Sequence, residues 1–204
     1  MKVYARLGIC AVFALASVVQ AGTLGVSVSG GTAAVNTGTW TLGYSFLVNT
    51  SINAVSLGVF DQGGDGLLVS HDVGLWDSSG TLLASATVAA GTLDPLNGGF
   101  RFAAISPVSL AAGSIYYVGS VNGIDGDPWL QDSVVTSAPE ITYLARQYAA
   151  SGGGLVFPDL SGSGVTGYFG GNFEFGAGGV PEPSTSALAG AALAALSLLR
   201  RRLR

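Results

Sequence analysis

Trp40-Thr41-Leu42-Gly43-Tyr44-Ser45-Phe46 alternates large apolar side chains with small ones, the period-two pattern of a strand with one buried face. Asn49-Thr50-Ser51 turns the chain into a second such run, Ile52-Asn53-Ala54-Val55-Ser56-Leu57-Gly58-Val59-Phe60. The same grammar extends in both directions. Upstream, Val26 and Val28 alternate with polar neighbours as an edge strand. Downstream, the loop Asp61-Gln62-Gly63-Gly64-Asp65-Gly66 precedes a strand over residues 69–76, and Asp77-Ser78-Ser79-Gly80 turns it into another over 81–88. Beyond the loop at residues 94–99, strands over 100–105 and 115–121 flank a turn at Ala111-Ala112-Gly113. Residues 141–149 read as strand or short helix, because Tyr143, Leu144 and Tyr148 do not settle the period. A Gly/Ser-rich stretch follows, and residues 168–175 close the domain. About eight to ten short strands at regular spacing predict an all-β fold, an antiparallel β-sandwich of jelly-roll or Ig-like type.

The two ends of the chain read differently. Lys2 and Arg6 precede an apolar run over residues 7–19, and Val19-Gln20-Ala21 is a small-x-small cleavage site, so residues 1–21 are expected to be a secretory signal helix. The sandwich domain is then expected over 22–179. Cys10 lies inside the signal, which leaves the exported part without cysteine and without disulfides. At the other end, Pro181-Glu182-Pro183 is followed by 16 uncharged residues, 184–199, and then by Arg200, Arg201, Arg202 and Arg204. As a helix that run would reach about 24 Å at about 1.5 Å per residue, against a hydrocarbon core of about 30 Å. Arginines on the cytoplasmic side can snorkel to make up the difference. Residues 180–204 are therefore expected to hold the chain at the inner membrane through a transmembrane helix.

This three-part ending, a Pro-Glu-Pro motif, an apolar helix and an Arg-rich end, resembles the PEP-CTERM sorting signal of Gram-negative bacteria. The resemblance implies a partner, the membrane protease-transpeptidase exosortase. It also implies export through the inner membrane and delivery to the cell surface or extracellular matrix, commonly alongside exopolysaccharide and biofilm. The residues over 57–67, 73–83, 106–116 and 169–175 are similar to a β-sandwich domain common in exported PEP-CTERM proteins. That second likeness implies a fold and a location but no active site.

Charge narrows the partners. Between residues 22 and 179 only Arg101 and Arg146 are basic, against eleven acids, a formal balance of −9. No basic patch can form there, so nucleic acid is not expected as a partner and polyanions are disfavoured, while neutral polymers or multivalent cations suit better. Asp61, Asp65 and Asp72 around one Gly-rich loop, and Asp125 and Asp127 in another, are candidate Ca²⁺ ligands, because hard cations take oxygen donors from flexible acidic loops. The match to an EF-hand loop is poor, and the same aspartates serve equally as turn formers. No other cofactor is expected. Trp129, in Asp127-Pro128-Trp129-Leu130-Gln131, is the candidate for stacking on a sugar ring, with core or loop packing as its plainer role; Trp40 and Trp76 are expected in the core.

Signs of catalysis are thin. His71 is the sole histidine, expected at the surface or capping a strand, and no G-x-S-x-G elbow exists for a Ser-His-Asp arrangement. Gly162-Ser163-Gly164-Val165-Thr166-Gly167 matches G-x-G-x-x-G, but no helix follows to bind a dinucleotide phosphate. The expectation is a non-enzymatic surface or matrix protein, with a carbohydrate-binding module as the first alternative and a secreted hydrolase as the second.

Overall fold

The computed structural model describes residues 22–162 and 166–177, so the expected signal helix, the Pro-Glu-Pro motif and the sorting helix lie outside the described residues. Within them no helix is long and apolar enough to cross a membrane. In chain order the first strands are β1 (Thr23–Leu24), β2 (Val26–Ser29), β3 (Thr32–Ala34), β4 (Trp40–Val48) and β5 (Ile52–Phe60). Next come β6 (His71–Asp77), β7 (Leu82–Val88), β8 (Leu96–Asn97), β9 (Phe100–Leu110) and β10 (Ile115–Asn122). The remainder are β11 (Trp129–Gln131), β12 (Val134–Ser137), β13 (Ile141–Ala150), β14 (Leu160–Ser161) and β15 (Gly171–Ala177). One sheet runs β1-β15-β5-β9-β8 and the other β14-β13-β4-β10-β6-β7, with two short ladders, β11–β3 and β12–β2, beside them. The architecture is all-β and consistent with the expected sandwich.

Alternation along β4 and β5 builds the core. Tyr44, Phe46 and Val48 from one sheet meet Leu57, Val59 and Phe173 from the other, all with no exposed surface. Phe46 stacks on Phe173 at 4.6 Å with 22° between the ring planes. Each such aromatic contributes about 1.5–3 kcal/mol on burial. The sheets approach closely at one corner, where a Cβ on Gly171 would lie 2.8 Å from the Gly119 backbone, so only glycine fits.

The outer face of the six-stranded sheet is also covered, by residues 151–159. The Val156 N–H donates to Thr41 Oγ1 at 3.2 Å, and the Phe157 ring meets Tyr117 edge-on at 4.9 Å and Trp76 at 6.3 Å. Trp76 is therefore buried, but under this crossing segment rather than between the sheets. Trp40 sits half-buried at the start of β4, not in the core.

Two irregularities explain patterns in the sequence. Asp77 Oδ1 accepts hydrogen bonds from Ser79 Oγ, the Thr81 N–H and the Ser79 N–H, and these hold its carboxyl below the ordinary range, the Ser79 side chain foremost. Gly80 at φ 84° closes that turn. Residues 141–149 are strand, within β13. The register slips between Tyr143 and Ala145, so Leu144 is an inserted bulge residue, and the period of two is broken at the place where the sequence was ambiguous.

Register also defines two poles. Val48, Ile52, Leu110 and Ile141 share one end, where β15 ends at Ala177 opposite Ile52. Trp40, Phe60, Asn122 and Ala150 share the other. At about 3.3 Å per residue, β4 separates the poles by about 26 Å.

Tyr44 is a fully buried titrating group with a readable consequence. Tyr44 Oη donates to Asn172 Oδ1 at 2.7 Å, and Asn172 Nδ2 donates to the Val26 carbonyl at 2.9 Å. Burial raises the Tyr44 phenol well above its usual value, with Tyr143 adding to the rise. Below about pH 10 both folded and unfolded states keep this proton; above it the unfolded phenol ionises first, and stability falls by about 1.4 kcal/mol per pH unit. Urea unfolding between pH 9 and 11 should show this loss, and Tyr44→Phe should flatten the slope while lowering stability at neutral pH by about 1 kcal/mol.

Candidate functional site

The far pole, away from Ala177, carries an aromatic pocket of about 270 Å³ lined by Asn36, Trp40, Leu42, Trp129, Gln131, Tyr148 and Tyr168. Its walls come from four separate segments. Trp40 and Leu42 stand two residues apart on β4, and Tyr148 is the β13 residue paired with Leu42, so all three share one face. Trp129 comes from β11, held over that face by pairing with β3. Tyr168 follows from the loop before β15, fixed by the bridge between Leu130 and Phe169.

The rings meet in edge-to-face pairs, two of them nearly perpendicular. Trp129 and Tyr168 meet at 5.0 Å and 87°, Tyr168 and Tyr148 at 5.5 Å and 86°, and Tyr148 and Trp40 at 6.1 Å and 60°. Trp129 is only 8% exposed. Its indole N–H donates to Asn36 Oδ1 at 2.9 Å, and Asn36 Nδ2 donates to the Asn122 carbonyl at 3.1 Å, which fixes the ring. The Arg146 guanidinium lies over the Tyr168 ring, 4.6 Å from its centroid. No carboxylate lines the pocket.

Beside it, a buried clasp closes the same pole. His71 is 3% exposed at the start of β6, not at the surface as the sequence implied. Its Nδ1 faces the Val121 carbonyl at 2.8 Å, and a carbonyl only accepts, so Nδ1 carries a proton. Nε2 lies 2.9 Å from Asp127 Oδ2. The ring thus bridges a backbone carbonyl and a carboxylate, with both nitrogens engaged. The Asp127 carboxylate also accepts the Leu68 N–H at 2.9 Å and the Val69 N–H at 3.1 Å. Asp125 shapes the loop, taking the Gly123 N–H at 2.9 Å and the Asp127 N–H at 3.1 Å.

The five candidate Ca²⁺ ligands do not converge. Asp125 and Asp127 lie together with His71, one ligand atom of each within 4.8 Å of the others. That set falls well short of the six to eight oxygens Ca²⁺ takes, and backbone N–H groups already occupy its carboxylates. Asp61 is 3% exposed and paired with Arg101, Nε to Oδ2 at 2.6 Å, while Gly66 N–H donates to the same carboxylate. Asp65 is exposed after a 3-10 turn over Gln62–Gly64. Asp72 faces solvent and accepts from Thr87 Oγ1 at 2.6 Å. Pro181, Glu182, Pro183 and the four terminal arginines lie outside the described residues.

Trp129 proved to be a strand residue and a pocket wall rather than a loop platform. Its partners Tyr148, Tyr168, Asn36 and Gln131 were not picked out from the sequence. Only the shared β4 spacing of Trp40 and Leu42 hinted at a common face.

Comparisons with known proteins match residues 27–202 of the chain. No curated protein matches it. The PEP-CTERM protein-sorting motif matches residues 179–202, as its Pro-Glu-Pro, apolar and arginine segments implied, and it indicates export and exosortase-dependent sorting to the cell envelope. A second family, described as Domain of unknown function (DUF4082), matches residues 27–187, a span that takes in nearly all the sandwich. With that match over most of its length, the chain belongs to the DUF4082 family and carries a PEP-CTERM sorting motif at its C-terminus.

Proposed function

We propose that this protein is a non-catalytic component of the outer surface or the extracellular polysaccharide matrix, delivered through its PEP-CTERM signal. The observation that carries the reading is the union of that signal with a domain whose exposed surface has no cation. Among the described residues the only basic side chains besides His71 are Arg101 and Arg146, and these are 4% and 6% exposed. Such a surface repels polyanions and leaves uncharged polymers as natural partners. A non-catalytic role is supported by His71, which is buried and committed on both ring nitrogens, and by the lack of acids in the one aromatic pocket described.

Deleting residues 180–204 in a host that carries exosortase tests the delivery. The full chain is expected in the envelope and matrix fractions, and the truncated chain in the periplasm or medium, with the sandwich still folded. Identical fractionation of the two forms would overturn the reading. A carbohydrate-binding role is favoured over a hydrolase by the aromatic pocket.

A further inference from the structure

We propose that the pocket of Trp40, Trp129, Tyr148 and Tyr168 binds a single uncharged pyranose ring of a neutral polysaccharide. The proposal rests on the matrix reading above and names the ligand class that the domain presents. Four features of the site select that ligand.

Shape comes first. Three successive ring pairs, two of them within 4° of perpendicular and the third at 60°, make a box of differently oriented aromatic walls rather than a flat slot. A planar ligand would find only one face to stack on. A pyranose in its chair form presents C–H groups axially and around its edge, and can meet walls of different orientation. The volume of about 270 Å³ lies just under the range of about 300–1,000 Å³ usual for small-molecule sites, so one ring fits and an extended oligosaccharide does not.

Polarity comes second. Sugar hydroxyls need partners that both donate and accept, and the Gln131 amide and tyrosine hydroxyls provide both. The Asn36 amide holds Trp129 and the Asn122 carbonyl with one acceptor site and one N–H, which positions the indole. The wall is therefore built before any ligand arrives, which lowers the ordering cost of binding.

Charge comes third, and it excludes the competing occupants. An aromatic box is also the form of site that holds quaternary ammonium groups. Here the Arg146 guanidinium already sits on the Tyr168 ring at 4.6 Å, and no carboxylate lines the space to offset a second cation. An anionic sugar, a uronate for example, would lose its hydration in the pocket and meet an acidic domain surface outside it.

Placement comes last. The pocket lies at the pole opposite Ala177, the last described residue before the sorting motif, about 26 Å away along β4. The pocket and the last described residue before the sorting motif therefore stand at opposite ends of the domain.

Two of the three tryptophans, Trp40 and Trp129, line the pocket, so intrinsic fluorescence reads it directly. The full chain in detergent micelles is titrated with methyl glycosides of glucose, galactose and mannose, with N-acetylglucosamine, with methyl glucuronide and with tetramethylammonium. At least one neutral sugar is expected to give a saturable change at about millimolar concentration, with no response to glucuronide or tetramethylammonium. Trp129→Ala should weaken that binding by about tenfold or more. Gln131→Ala, a half-exposed change that spares the core, should weaken it by about fivefold with the unfolding midpoint unchanged. Absence of saturation by every neutral sugar, preferential binding of the ammonium ion, or unchanged affinity in Gln131→Ala and Trp129→Ala together overturns the assignment. Fractionation separates the two proposals: a correctly sorted protein that binds no sugar refutes the pocket alone, and a sugar-binding protein that sorts without residues 180–204 refutes the delivery alone.

Discussion

Arg101→Met is expected to lower stability by about 3–5 kcal/mol, because it strands a buried carboxylate. Arg101 and Asp61 have side chains only 5% and 2% exposed. The guanidinium spends its donors in three directions: Nε on Asp61 Oδ2 at 2.6 Å, Nη1 on the Asp94 carbonyl at 2.9 Å and Nη2 on the Gly64 carbonyl at 2.8 Å. It thereby ties the loop after β5 to the loop before β8. Removing it leaves Asp61 with the Gly66 N–H alone and frees two carbonyls that carry the loop geometry. The double variant Asp61→Leu with Arg101→Met removes both charges, and replacing a buried pair with apolar groups is often neutral. It should therefore be more stable than Arg101→Met. Urea denaturation of the three proteins decides the matter: a double variant weaker than the single one would show that loop tethering, not the stranded charge, dominates.

This pair also marks the limit of what the sequence disclosed. Asp61 stands in an Asp/Gly-rich loop, and read locally it joins Asp65 and Asp72 as a cation ligand. Its partner is forty positions away on β9, chosen by the pairing of Val59 with Arg101 across adjacent strands. Local composition carries no trace of that register. The same holds for His71, whose partner Asp127 is 56 positions distant.

The strands themselves were legible, because the period of two in residues 40–46 and 52–60 is a property of each segment alone. Where a bulge inserts Leu144, the period fails and so does the local reading. The pocket was legible only as single rings. Trp129 drew notice beside acids and Trp40 as core, yet Tyr148 and Tyr168 join them only after β13 pairs β4 and Phe169 bridges Leu130. By contrast, the sorting motif is contiguous, and three segments in order suffice to read it.

Asp127→Ala is the second change expected to cost about 3–5 kcal/mol, and it reaches the pocket as well. The carboxylate is the hub of the far pole, holding the Leu68 and Val69 N–H groups of one loop and His71 Nε2 of β6 from a position two residues before Trp129. Alanine leaves two N–H donors and a buried imidazole without an acceptor. Asn at the same position keeps one oxygen for Leu68 but turns an N–H₂ toward His71, so its cost should fall between zero and that of alanine. His71→Ala leaves the carboxylate with both backbone donors, and about 1–3 kcal/mol should be lost. The order of stabilities expected from thermal or urea unfolding is wild type, then His71→Ala or Asp127→Asn, then Asp127→Ala. Because β11 begins just beyond the clasp, Asp127→Ala should also shift tryptophan emission to the red as Trp129 gains solvent, and it should weaken sugar binding without any change in the pocket's own side chains. If His71→Ala proves the more damaging of the two alanine variants, the imidazole rather than the carboxylate organises this end of the sandwich. The clasp would then act through β6, and Trp129 emission should follow His71→Ala instead.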